Sequence, residues 1–465
     1  MKYAIFGAGV FGERYYNLLK DKLDIVCFID NNRIKHGTKY MGLDVIDPQI
    51  AAESGFAVIH AIKKTPWAQI FKQLFDVGIK VLCVVESSSP VKLSFYDFSQ
   101  FPVPGKNKKK ICVMRNEYSV TSANIVRDNP YDDIEIVLVS SQVKDSLFDY
   151  HCITSDLIIT QMLEDLQFLG SDKKIIELWH GFTIKTLFCM NKDRQERERL
   201  DEIFKIMSQR DAFCSLSKLY SVFFGYCSNL SYDKFRITGY PRNDLLIKSD
   251  GKTSMRMLFG HGKKYAVIYM PTYRQRESSA LINVNNGENT FLFDAPGFDL
   301  RNFGQYLAQN DIMFILKMHS IQVDEKKVEE TENIRILTDA MLEERGMDLY
   351  EVLGGTDCLI SDYSSVIIDY LLTDKPMIFA PTDLKAYEEN RGLMIEPYDA
   401  WMPGAIALTY GQLIAAIDNA LFGDDMYKTD RERLRRITHK HMDGNSSLRV
   451  LALARELMGM EQTPV

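Results

Sequence analysis

Asp357-Cys358-Leu359-Ile360-Ser361-Asp362-Tyr363-Ser364-Ser365-Val366-Ile367-Ile368-Asp369-Tyr370 runs from an apolar segment through a hydroxyl-rich turn into a second apolar segment. Cys358–Ile360 predict a strand and Ser361–Ser365 a turn. Val366, Ile367, Tyr370 and Leu371 then recur at helical spacing. Strand, polar turn and helix start are the parts of a parallel α/β sheet. They are also the parts of a phosphate site. The first helical N–H groups have no intrahelical partner, and the macrodipole leaves partial positive charge there. Ser364 and Ser365 would add hydroxyl donors. Taken alone, a plain helix cap by Ser364 or Ser365 is the simpler reading. The rest of the chain changes that balance.

The 465 residues exceed what one hydrophobic core organises, so two or three domains are expected. An apolar content of 46% with 11% aromatics marks a packed globular chain. A net charge of −7 argues against a general nucleic-acid binder. None of the eight cysteines forms a C-x-x-C pair, so no zinc knuckle or redox pair is suggested. No carboxylate cluster calls for a metal. The apolar start, Met1 to Phe6, is too short for a signal peptide, and no run of about 18 apolar residues predicts a transmembrane helix. The expectation is a cytoplasmic chain that meets any membrane process at the surface.

Three blocks emerge along the chain. In residues 1–105, short apolar runs at Tyr3–Phe6, Ile25–Ile29, Ala57–Ile59 and Val81–Val85 alternate with helical patterns. Pro102–Lys110 reads as a linker. In the second block, 108–255, strands are predicted at Lys110–Met114, Ile134–Ser140, Leu157–Thr160 and Ile175–Trp179. In the third, 256–465, they are predicted at Tyr265–Met270, Met313–Met318, Cys358–Ile360 and Pro376–Phe379. The last two blocks suggest paired Rossmann-like domains around a cleft, preceded by a smaller one. Residues 275–295 read as a surface loop and 425–440 as a solvated, charged helix.

Gly7-Ala8-Gly9-Val10-Phe11-Gly12 lies between a strand and a helix, the context of a dinucleotide-binding turn. Gly7 would permit the turn, Gly9 a phosphate's approach and Gly12 close helix packing. Asp30 ends the next strand, where a carboxylate can accept from a ribose hydroxyl. Two readings stay open: a site for NAD(P) or another nucleotide, and a turn kept for packing alone. The first hundred residues resemble the small Rossmann-like module found fused to sugar-modifying enzymes, including the Phe28-Ile29-Asp30-Asn31-Asn32 strand end.

Five further segments place cationic or hydrogen-bonding groups at strand ends. Glu177-Leu178-Trp179-His180-Gly181-Phe182-Thr183-Ile184-Lys185 ends a strand in His-Gly, and a neutral imidazole there can take a proton from an attacking hydroxyl. A structural histidine bonded to backbone explains that segment equally well. Thr238-Gly239-Tyr240-Pro241-Arg242-Asn243-Asp244 is a rigid turn carrying an arginine suited to phosphate or to a surface ion pair. Tyr269 to Arg274 and Ile315 to His319 deliver Arg274, Lys317 and His319. The Ser-Asp-Tyr-Ser-Ser turn is the fifth. Their sum suits a diphosphate.

The order Trp-His-Gly…Lys, Gly-Tyr-Pro-Arg-Asn-Asp, Pro-Thr-Tyr-Arg, Lys-Met-His, Ser-Asp-Tyr-Ser-Ser…Asp-Tyr, Tyr387…Arg391-Gly392 and Pro403-Gly404 resembles the CDP-glycerol glycerophosphotransferase family of teichoic-acid and capsule polymer enzymes. The likeness runs from about residue 110 to 440. It implies a GT-B fold and transfer of a polyol phosphate from a CDP-linked donor to an acceptor hydroxyl, releasing CMP, with no cofactor or metal required. It implies His180 as general base and His319 on the donor pyrophosphate. Ser364, Ser365, Asp362, Arg274, Lys317 and Arg242 are expected around the donor phosphates. Gly181, Lys185, Arg391 and Gly404 are expected elsewhere in the cleft. The implied partners are a glycan or lipid-linked acceptor and the inner face of a bacterial membrane, with self-association left open. Phe182, Ile184, Lys317 and Ser320 depart from the family pattern. The alternatives are a GT-B glycosyltransferase using a nucleotide sugar, and a reductase or nucleotide-sensing role for the first block.

Overall fold

The computed structural model describes residues 1–61, 67–88, 91–102, 107–115, 123–166, 169, 173–191, 197–260, 262–272, 296–317 and 330–461. Three sheets succeed one another along the chain. The first contains β1 (Tyr3–Phe6), β2 (Ile25–Ile29), β3 (Lys39–Tyr40), β4 (Leu43–Ile46), β5 (Ala57–His60), β6 (Val81–Ser88) and β7 (Val91–Asp97). Their order is β3-β4-β2-β1-β5-β6-β7, parallel at the centre with antiparallel edges at β3 and β7.

The second sheet contains β8 (Lys109–Arg115), β9 (Ile134–Ser140), β10 (Leu157–Thr160), β11 (Lys174–Glu177), β12 (Ala212–Ser215) and β13 (Phe235–Ile237). The third contains β14 (Tyr265–Tyr269), β15 (Ile312–Leu316), β16 (Ile334–Ile336), β17 (Cys358–Ser361), β18 (Met377–Phe379) and β19 (Ala405–Ile406). Both are parallel throughout. Parallel strands covered by helices on both faces must be apolar along their length. Every residue of Ile312–Leu316 is buried, as is every residue of Leu157–Thr160. This is why apolar runs predicted the strands; the short β12 and the β6–β7 hairpin escaped that reading.

The third sheet runs β16-β15-β14-β17-β18-β19, the doubly wound order that reverses between β14 and β17. The second runs β13-β12-β11-β10-β8-β9 and reverses between β8 and β10. Ligand crevices in such sheets lie beyond the carboxyl ends of the strands, at the reversal. The Ser361–Ser365 turn therefore stands at the switch point of its sheet.

The three sheets are packed together. Phe98, Phe75 and Tyr150 join the first sheet's core to the second's. Phe101 stacks on Tyr150 at 4.6 Å, and the Tyr150 hydroxyl donates to the Pro102 carbonyl. The end of the predicted linker is instead strand β8. A second core cluster is continuous between the other two sheets. The last block, 256–465, does not pack on the third sheet alone. Helix Ser446–Leu457 returns to the second sheet, where Asp244 accepts from the Ser446 and Ser447 N–H groups and Arg455 pairs with Asp133. The charged helix Lys428–Thr438 is not simply solvated, because Arg431 is buried against Asp425. The 275–295 loop lies outside the described residues.

Candidate active site in the cleft

The strand ends of the second and third sheets meet where the Gly181 turn packs on the Ser361–Ser365 turn. β11 ends in Glu177, and Trp179 follows in the left-handed region at φ 61°. A bulky residue adopts that conformation only where its surroundings over-determine it. The Trp179 N–H donates to the Glu177 carboxylate at 3.2 Å, and the indole packs on Phe224 and on the His180 ring. Glu177 is fully buried against Arg210 and also accepts from the Thr160 hydroxyl and the Leu163 N–H. The loop that presents His180 thus rests on a buried ion pair.

His180 is densely surrounded yet keeps part of its surface open. Among the described residues, its buried Nδ1 has no hydrogen-bond partner. Burial lowers its pKa to about 4, helped by the positive charges of Arg242 and Lys185 and opposed by the Gln161 backbone. The imidazole is neutral at pH 7.

Gly181 packs directly on Ser365 of the third sheet, and a Cβ at 181 would overlap the Ser365 side chain. The facing turn is pinned from below. Asp362 accepts from the Thr272 N–H at 2.8 Å, from the Thr272 hydroxyl and from the Tyr363 N–H. The Ser361 hydroxyl donates to the Met270 carbonyl. Tyr363 stacks on Tyr387 at 4.0 Å, which accounts for Tyr387 in the motif order. Ser365 is the N-cap of helix Val366–Tyr370 but makes no side-chain cap bond. The helix has only five residues before the 3₁₀ turn Leu371–Thr373, so the macrodipole contribution is smaller than expected. The Ser364 and Ser365 hydroxyls remain as donors, whereas the Ile367 and Ile368 N–H groups already donate to the Ser364 and Ser365 carbonyls.

Several predicted site residues take other positions. Arg242 is not an open phosphate ligand: it is buried, donates to the His180 carbonyl at 2.9 Å and pairs with Asp369 at 2.8 Å. Asp362 is engaged by Thr272 and Tyr363, so it shapes the turn rather than meeting donor phosphates. Gly404 is a packing glycine, because a Cβ there would overlap the Met377 carbonyl. Lys317 follows β15 and donates to Asp339 at 2.9 Å. Lys185 and Arg391 are brought together across the lobes. Lys185 bridges to Leu393, the Thr186 N–H donates to Gly392, the Thr186 hydroxyl donates to Arg391, and the Met394 N–H donates to Ile184. His319 and Arg274 lie outside the described residues.

In the first sheet, Gly12 packs on the Gly7 carbonyl and open space lies above Gly9. Asp30 accepts from the Ala8 and Asn32 N–H groups and from the Lys35 ammonium at 2.8 Å. Burial pushes the Asp30 carboxyl up, but Lys35 and the two N–H groups outweigh it and hold the pKa below the ordinary value. The Asp30 carboxylate is thus engaged within its own module.

Sequence reasoning assigned no role to Glu177, Arg210, Asp369 or Tyr350. Asp369 sits within the quoted motif, but its partners are far away in the chain. Asp348 was also missed. It caps helix Leu349–Gly355 beside Arg242 and Arg115, and burial raises its pKa to about 7.

Residues 138–455 match the family model described as CDP-Glycerol:Poly(glycerophosphate) glycerophosphotransferase, and residues 1–84 match the one described as C2185-like, N-terminal. The chain is 25% identical over 296 residues to the teichoic acid ribitol-phosphate polymerase TarL of Staphylococcus aureus, covering 62% of this chain and 48% of that one. It is 30% identical over 258 residues to a teichoic acid glycerol-phosphate transferase of the same organism, covering 52% and 61%. The chain thus spans about half the length of the first of these relatives. Among solved structures, the wall teichoic acid polymerase TagF aligns with a TM-score of 0.61 at 20% identity, over 76% of this chain and 90% of that one. That likeness shows the fold: a GT-B-like pair of lobes, here carrying an additional α/β module.

Proposed function

The chain belongs to the CDP-glycerol:poly(glycerophosphate) glycerophosphotransferase family, and on that premise we propose that it moves a polyol phosphate from a CDP-linked donor to an acceptor hydroxyl, releasing CMP, in teichoic-acid-like or capsule polymer synthesis. The observation that carries this reading is the contact of Gly181 with Ser365, which sets a neutral imidazole beside a turn of free donors.

The acceptor hydroxyl attacks the donor's β-phosphorus, and its proton passes to His180. As the bond to the CMP oxygen breaks, charge grows on the phosphoryl oxygens and on CMP. The Ser364 and Ser365 hydroxyls and the nearby N–H groups stabilise it without reorganising. Lys185 adds positive charge from the lobe that carries His180, whereas Lys317 is already paired with Asp339. With a pKa near 4, His180 is a weak base in the free protein. A diphosphate arriving nearby brings the negative charge that raises it. The donor is thus a condition for the base to work. His319 and Arg274 join the donor site in this reading. With a lipid-linked acceptor, the reaction runs at the inner face of the cell membrane.

The test is CMP release from CDP-glycerol and from CDP-ribitol, with and without an oligomeric or lipid-linked acceptor. Acceptor-dependent release that falls roughly 10²–10⁴-fold in His180→Ala is the expected result. Turnover of a nucleotide sugar with no CMP from either donor would overturn the proposal.

A further inference from the structure

We propose that Arg242 and Asp369 form a latch between the two lobes, which positions His180 against the Ser364–Ser365 turn. Arg242 opens helix Pro241–Lys248 on the second-sheet side. Its Nη1 donates to the His180 carbonyl at 2.9 Å, fixing the backbone that carries the imidazole. Its Nη2 donates to Asp369 Oδ2 at 2.8 Å, on the helix that Ser365 opens. One planar guanidinium therefore spans the base-bearing loop of one lobe and the donor-side helix of the other. A lysine has one charge centre and cannot make this fork.

Asp369 is fully buried and its oxygens are satisfied. The Tyr350 hydroxyl donates to Oδ2 at 2.7 Å and Asn243 Nδ2 to Oδ1 at 3.0 Å. The guanidinium lies over the Tyr240 and Tyr350 rings at 5.1 and 5.2 Å. Among the described residues, both terminal nitrogens of Arg242 are engaged and only its buried Nε has no partner. The enclosure also holds two turns in register where Gly181 already touches Ser365. Arg242 and Asp369 are thus positioning residues, acting through His180 and the turn. A misplacement of about 1 Å between reacting groups can lower a rate about 10²-fold.

This inference deepens the transferase reading, so its test has a readout that needs no turnover. Amide hydrogen exchange is compared in wild type, Asp369→Asn and the milder Tyr350→Phe. The latch predicts faster exchange at the Gly181–Ile184 loop, on the lobe opposite the substitution, graded from Tyr350→Phe to Asp369→Asn. Unchanged loop exchange in a folded Asp369→Asn protein overturns it. If Asp369→Asn fails to fold, Tyr350→Phe decides by the same criterion.

With an active donor in hand, the latch also predicts a kcat fall of about 10²-fold in Asp369→Asn and Arg242→Lys. Donor Kd should stay within about twofold. A donor Kd raised more than tenfold with kcat retained would instead make Arg242 a donor ligand and sink the latch. If wild type turns over no CDP-polyol, the functional reading fails, and the exchange experiment still judges the latch.

Discussion

Ser365 occupies the space that any side chain on residue 181 would need. The two residues come from different lobes, and their contact joins the His180 loop to the Ser364–Ser365 turn. A Gly181→Ala substitution forces a methyl group into Ser365, and overpacking of this kind costs about 1–3 kcal/mol. A lower melting temperature and a large loss of activity are expected. Removing the obstructing side chain in Gly181→Ala/Ser365→Gly should restore most of the melting temperature. A double variant no more stable than the single one would show that the contact does not set the cost.

The pH dependence follows from His180. Its pKa is lowered to about 4 by burial, so the neutral base persists as pH falls through the range where an ordinary histidine would protonate. The acid limb of kcat/KM, which reports the free enzyme, should therefore lie nearer pH 4 than 6.5. The acid limb of kcat reports the donor-bound form and should move upward. Coincident limbs near 6.5 would mean that the imidazole is exposed in solution.

Glu177 and Arg210 are both fully buried, and burial together with nearby Glu164 pushes the Glu177 carboxyl up while Arg210 holds it down. Removing one partner leaves the other charge uncompensated. Glu177→Leu or Arg210→Met alone should cost about 3–5 kcal/mol, and the pair together less than their sum. Urea denaturation of the two singles and the double measures this. Additive losses would mean that the two side chains do not depend on each other.

The N-terminal module gives a separate prediction. With Asp30 held by Lys35 and the Ala8 N–H, NADH should bind without a saturable change in nicotinamide fluorescence. Saturable enhancement in wild type would mean that Lys35 yields to the ligand. Lys35→Ala is the matched control, since it removes the ammonium from Asp30 Oδ2 and leaves only the Ala8 N–H on that oxygen.

Much of the architecture is legible in the chain because buried parallel strands must be apolar along their length. Ile25–Ile29, Ile134–Ser140 and Leu157–Thr160 have the bounds that their apolar runs predict. Polar residues at the strand ends likewise mark the cleft, and the His180-Gly181 and Ser364-Ser365 turns face each other there. What each polar residue does was not legible. Arg242 has the sequence appearance of a phosphate ligand, yet it meets Asp369, 127 residues away.

By itself, then, the sequence determined which segments become strands, where turns interrupt them and which groups stand at their ends, because these depend on local periodicity and turn chemistry. Only the tertiary structure decided which charges are neutralised and which stay open. Arg242 found its partner on the other lobe, Asp362 and Asp30 found theirs at neighbouring strand ends of their own sheets, and the Ser365 hydroxyl was left uncapped. The reason is physical: a buried charge must be paired, and its partner is chosen by the packing of elements distant in the chain.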